Sequence, residues 1–236
     1  MRMHSASGRS RWPLVITGGI VAVAVVGGVV YGTTREDEPA AAPTTQPTPT
    51  PTAGGTSGAG DGEEGAAPTG CLGGNNRDAS MVLAAQQEAP HTTFGAVEVA
   101  TAMHRWLWQY PSPTTEEATA VSESLIASEA PDGYRDLAGY FEGVGDDPST
   151  GVVAAGTPFY VSSTNGVWRV TEDSTPDRIK VTMGTSYVID GALSPTETTV
   201  NGFAMVWEDD AWHVAAGVVV DQEKLGAGGT RYTGGC

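Results

Sequence analysis

The chain has 236 residues with 28 acidic against 12 basic side chains, a formal net charge of −16, and only two cysteines. Phosphate backbones are held by clustered Lys and Arg, and here the few basic residues are dispersed among carboxylates, so nucleic acid is excluded as a partner. Two cysteines without His or a second Cys at ligand spacing also argue against a zinc site.

The first element is an uncharged apolar run, Leu14 to Tyr31, LVITGGIVAVAVVGGVVY. Its ~18 residues at ~1.5 Å each just cross a hydrocarbon core of roughly 30 Å. Arg2, Arg9 and Arg11 precede it, whereas Glu36, Asp37 and Glu38 follow, so the positive-inside rule predicts residues 1–13 in the cytoplasm and everything after 31 outside. A cleaved signal is the rival reading, but Tyr31-Gly32-Thr33-Thr34-Arg35 offers no small-residue cleavage site, which favours a retained single-pass anchor in the cell membrane. Every acidic residue lies beyond this span, so the outer portion is more acidic still.

Residues 32–70 have almost no large apolar side chain and read as a disordered Pro/Thr/Gly-rich tether, extended in TTQPTPTPT and coil-like in its glycine-rich half. Residues 71–236 then form one domain. Cys71 stands just after the tether and Cys236 is the last residue; outside the membrane such a pair predicts a disulfide joining the two ends.

The first half of this domain has a helical period. A helix capped by Thr92 or Thr93 and ended by Pro111 places Phe94, Val97, Thr101, His104 and Trp108 at three-and-four spacing. Thr114 and Glu117 have capping-box spacing ahead of Ala118, Val121 and Leu125, and Pro131 closes that helix. A short amphipathic piece, Tyr134 to Phe141, precedes a Gly/Asp loop over 143–151.

The second half alternates. Strands over 157–163 and 167–171 flank Thr164-Asn165-Gly166, a hairpin signal because Asn and Gly accept positive φ. A long strand from Arg178 to Asp190 puts Ile179, Val181, Met183, Thr185 and Tyr187 on one face. Residues 198–207 and 212–220 pair across Glu208-Asp209-Asp210-Ala211. Helices first and an antiparallel meander second is the α+β class, with helices packed on a curved sheet.

Candidate chemistry is sparse. His104 and His213 act as general bases only if a carboxylate such as Asp190 or Asp221 reaches the same substrate proton. No G-x-S-x-G is present, and Glu116-Glu117, Asp146-Asp147 and Asp209-Asp210 sit at helix starts and turns where anions are ordinarily found, so no catalytic, cofactor or metal residue is assigned. Trp106, Trp108 and Tyr110 are the sharper candidates for a pocket or partner surface. At ~100° per residue the two indoles diverge by some 200° and cannot both face one core.

Helices followed by the closing hairpin FAMVWEDDAWHVAAGVVV resemble the cone-shaped fold of nuclear transport factor 2 relatives over residues 79–221. Within that superfamily, a short cytoplasmic start, one span, a linker and one outer cone domain resemble the membrane-anchored scaffold subunits of type IV secretion and conjugation machines. That resemblance implies a non-enzymatic assembly subunit that meets other membrane or wall-associated proteins and self-associates, and the Gly/Ala/Val-rich span and Pro/Thr tether look like those of a high-GC Gram-positive bacterium. The rival expectation is a sensory module whose cone pocket captures a small molecule or wall fragment.

Overall fold

The computed structural model describes residues 69–236. The predicted span 14–31, the stretch 1–13 expected in the cytoplasm and nearly all of the predicted tether lie outside the described residues, and among the described residues no helix is long and apolar enough to cross a membrane.

Helix α1 (Ala79–Glu88) starts on Asp78, whose carboxylate accepts from the Met81 amide. After Pro90 and His91 the chain enters α2 (Thr93–Leu107), capped by the Thr92 hydroxyl on the Gly95 amide at 3.1 Å. Gly95 is required here: a Cβ would stand 2.0 Å from the Pro90 carbonyl oxygen. Strand β1 (Gln109–Tyr110) follows, then α3 (Thr115–Leu125), whose predicted capping box is present with both reciprocal bonds. Glu117 does more than cap, because its other oxygen accepts the Ala79 amide at 3.2 Å and ties α3 to the start of α1. Thr114→Ala is expected to cost ~1 kcal/mol, read as a lowered urea midpoint at unchanged m-value. The α3 helix stops at Ile126, earlier than Pro131 requires, because residues 126–127 turn extended and the Ala127 amide donates to the Val214 carbonyl on the sheet edge. Two short helices, α4 (Asp132–Arg135) and α5 (Leu137–Val144), complete the helical half.

The sheet is antiparallel, in the order β1-β2-β3-β4-β5, and curls into a half-barrel. Its long strands are β2 (Phe159–Val170), β3 (Arg178–Ile189) and β4 (Ala192–Glu208), with β5 (Ala211–Gly217) at the far edge. The architecture is α+β, as the alternation and helical periods predict, and the curl of its sheet is cone-like. On β3 the inward set Ile179, Val181, Met183, Thr185 and Tyr187 is buried throughout. Against it lies α2, which fills the concave side with Val97, Met103 and the other core residues. A last helix, α6 (Gln222–Gly228), begins on the Asp221 carboxylate, and β6 (Thr230–Arg231) returns to pair with β2 at Val167 and Trp168.

One predicted turn is corrected. Thr164-Asn165-Gly166 does not reverse the chain; it lies inside β2, where the register against β3 slips between Ser162 and Val167. Asn165 does take a positive φ of 61°, but to form a bulge. The same conformational freedom serves a hairpin or a bulge, and the flanking strand decides which. The chain reverses after β2 over residues 171–177, and the tight turn between β3 and β4 is Asp190-Gly191, both with positive φ.

The predicted cysteine pair is at disulfide distance, Cys71 to Cys236, with Cα atoms 5.3 Å apart at a sequence separation of 165. Around it, Thr69 bridges Thr233 and the Gly70 amide donates to the Thr233 carbonyl at 2.7 Å. The segment that enters the domain and the segment that ends it therefore share one corner, beside β2.

Candidate functional site

The end of α2 is where the sequence places its aromatic candidates, and the divergence of the two indoles is real but is resolved inside the protein. Trp106 is wholly buried and stands edge-on to Phe141 of α5 at 5.5 Å. Trp108 is 4% exposed and turns the other way, beside His104. The helix is sandwiched between a sheet and a layer of helices, so opposite faces both meet core; neither indole offers an outer surface. Only Tyr110, half-buried on β1, retains a face to solvent.

His104 lies at the centre of a buried polar strip. Its Nδ1 faces the Asn201 amide nitrogen at 3.4 Å and its Nε2 the Thr185 hydroxyl at 2.8 Å. An amide N–H can only donate, so Nδ1 accepts and the proton sits on Nε2, donating to Thr185. Burial, reinforced by the adjacent Arg105 charge, pushes this imidazole down to about 3. It is a neutral, fully satisfied core histidine. The carboxylates proposed to work with it do not approach: Asp190 is in the β3–β4 turn and Asp221 caps α6.

The remaining acidic pairs are structural as well. Asp147 accepts from Ser149 and from the Gly151 amide within its loop, Asp209 and Asp210 both take positive φ in the β4–β5 turn, and Glu117 is the cap already described. Among the described residues no group of three or more His, Cys, Asp or Glu side chains converges as a metal site.

Two clusters escaped the sequence. His91, between α1 and α2, stacks on Trp207 at 4.3 Å with planes 10° apart, while its Nε2 meets Asp177 at 2.9 Å. The indole of Trp212 lies edge-on to the same ring and donates to the Pro90 carbonyl, so the α1–α2 turn is pinned to the end of the sheet. Nothing in the local pattern marks His91, because its partners, Asp177 ahead of β3 and Trp207 and Trp212 on β4 and β5, are more than eighty residues away. His213, by contrast, is half-buried and faces the Gln86 amide of α1 at 3.4 Å.

The second cluster surrounds Arg105, which is fully buried without an ion pair among the described residues. Its Nη1 donates to the carbonyls of Leu72 at 2.5 Å and Gly74 at 2.9 Å, while Nε and Nη2 are buried with no partner. Next to it Thr101, whose hydroxyl donates to Val97, accepts from the buried Tyr232 phenol at 3.0 Å. Nearly the whole circumference of α2 is buried in its last turns, and that burial takes Arg105 into the interior.

A shallow cleft of about 240 Å³ opens between β2, β3, β4 and α6, lined by Asn165, Gly184, Ser186, Thr198, Val200 and Gln222 among others. By strand alternation Gly184 and Ser186 lie on the face opposite Thr185 and Tyr187, so this cleft is on the outside of the curl. It carries no charged side chain in its lining.

No family model, curated protein or solved structure matches this chain.

Proposed function

We propose that the chain is a non-enzymatic, single-pass membrane protein that presents its outer α+β domain as a scaffold or assembly subunit, of the kind found in conjugation and secretion machinery. The observation that supports this best is the shared corner at Cys71 and Cys236. A domain attached at one corner leaves the rest of its surface free for partners, and a long tether before it sets how far it reaches. The neutral, satisfied His104 inside the curl supports the non-enzymatic reading.

The test is cross-linking in intact cells followed by purification of the full chain from membranes. Expected is a ladder of self-associated species or a stoichiometric complex with other membrane subunits. A monomer that carries a bound small molecule would overturn the scaffold in favour of a binding module. The uncharged outer cleft, with its Asn, Ser, Thr and Gln lining, is the observation that favours that second reading.

A further inference from the structure

Arginine carries its donors on three edges, and the edge formed by Nε–H and one Nη–H is the fork that grips both oxygens of a carboxylate or phosphate. In Arg105 this is the edge left open: Nη1 holds the Leu72 and Gly74 carbonyls, while Nε and Nη2, both buried, have no acceptor. A buried, unpaired guanidinium is costly, and leaving its fork empty adds the desolvation of two more N–H groups.

A second arginine stands nearby. Arg77, three residues after Gly74, donates from Nη1 to the Val161 carbonyl at 2.9 Å and lies over the Tyr160 ring at 3.7 Å. The Val161 amide in turn donates to the Trp108 carbonyl at the end of α2, and Gln109 bridges the Arg77 and Trp106 carbonyls. Arg105 thus holds the start of the 74–77 segment and Arg77 forms its end, near enough for the two charges to interact. Neither has a carboxylate partner among the described residues, although acidic residues outnumber basic ones more than twofold in the chain.

We propose that the open fork of Arg105, with Arg77 beside it, is a binding site for a two-oxygen anion, a carboxylate or phosphate group, covered by the loop of residues 72–76. Burial and the Arg77 charge lower the Arg105 guanidinium to about 10, which leaves it cationic at neutral pH. The Tyr232 phenol is also close enough to couple to the Arg105 charge. The cover is held at Gly74 through its amide on the Cys71 carbonyl and its own carbonyl on Arg105, and at Arg77 through Val161 and Gln109. Gly73 packs so closely on α2 that a Cβ would meet Ala102 at 2.8 Å, whereas a Cβ on Gly74 would meet nothing within 4 Å.

The experiment uses the full chain, with sodium acetate and sodium phosphate each titrated against sodium chloride at constant ionic strength. Arg105 Nε–H is followed by NMR and the thermal midpoint in parallel. Expected is a saturable shift of that resonance and a rise in midpoint with acetate, phosphate or both, the two arms telling carboxylate from phosphate recognition. Arg77→Gln, at a partly exposed position outside any helix or strand, should keep the fold and weaken the anion by about tenfold, equivalent to ~1.4 kcal/mol. Arg105→Lys, which keeps a charge but has no fork, should lose the response. Buried water would satisfy the same N–H groups without discriminating among anions. No saturable response to either anion beyond chloride, or an equal response in Arg77→Gln, overturns the proposal.

Discussion

Replacing Cys236 by serine, or reducing the Cys71–Cys236 bridge, is expected to lower the unfolding free energy by as much as ~5 kcal/mol. The bridge closes a loop of 165 residues, and in the chain-entropy account the cross-link acts on the unfolded chain, whose lost freedom grows with the logarithm of loop length. A contribution of that size is comparable with the whole stability of many domains. The native state should respond locally as well. Strand β6 is two residues long and pairs with the edge of β2, so without the covalent tie at Cys236 only those bonds, the Thr233 contacts and the buried Tyr232 side chain hold the tail. Urea unfolding of the full chain with and without reductant measures the first effect. Faster amide exchange at Thr230 and Arg231 in the reduced protein reports the second. Coincident unfolding curves for the two forms would contradict the expectation.

The second large effect is acid sensitivity from one histidine. In the unfolded chain the His104 imidazole takes up a proton near its ordinary value of 6.5, but in the fold burial and Arg105 hold it down to about 3. Between those two values the unfolded state binds more protons, so stability falls as the pH falls. The loss runs at up to about 1.4 kcal/mol per pH unit and stops growing below about 3, where the folded form also protonates. Above the ordinary value the contribution is complete and the pH has no further effect through this residue. Other titrating groups add their own slopes, and the comparison with His104→Gln removes them because they are common to both proteins. The wild type should lose stability more steeply than the variant between pH 6.5 and 4; parallel slopes would contradict the assignment of a neutral, buried imidazole.

What the sequence reveals here depends on whether the determining contact is local. The inward set on β3 and the Thr114–Glu117 box are both legible, since each is decided by spacing within a few residues. So is the cysteine pair, which follows from compartment and position rather than from contacts. Thr164-Asn165-Gly166 misleads because positive φ is all that the residue types specify. Whether β2 then bends back or bulges and continues depends on β3 lying alongside for its full length. The Trp106 and Trp108 divergence is read correctly as geometry, but the expectation of a surface assumes one core layer, whereas α2 has sheet on one side and helices on the other. Arg105 and His91 are invisible for the same reason in stronger form. Their environments are assembled from the entry loop, the C-terminal tail and distant strands, and no window of the chain contains them.

The common corner at Cys71 also sets how the domain answers tension. A pull arriving along the chain at Thr69 does not run straight into α1. At Cys71 it divides, one branch continuing through Leu72 toward α1 and the other crossing the covalent bridge into the tail that carries Tyr232 and β6. The first branch is clamped by the Arg105 grip on the Leu72 and Gly74 carbonyls, and the second by strand pairing on β2. The two clamps are loaded side by side instead of in succession, so neither end can be peeled off without straining the other.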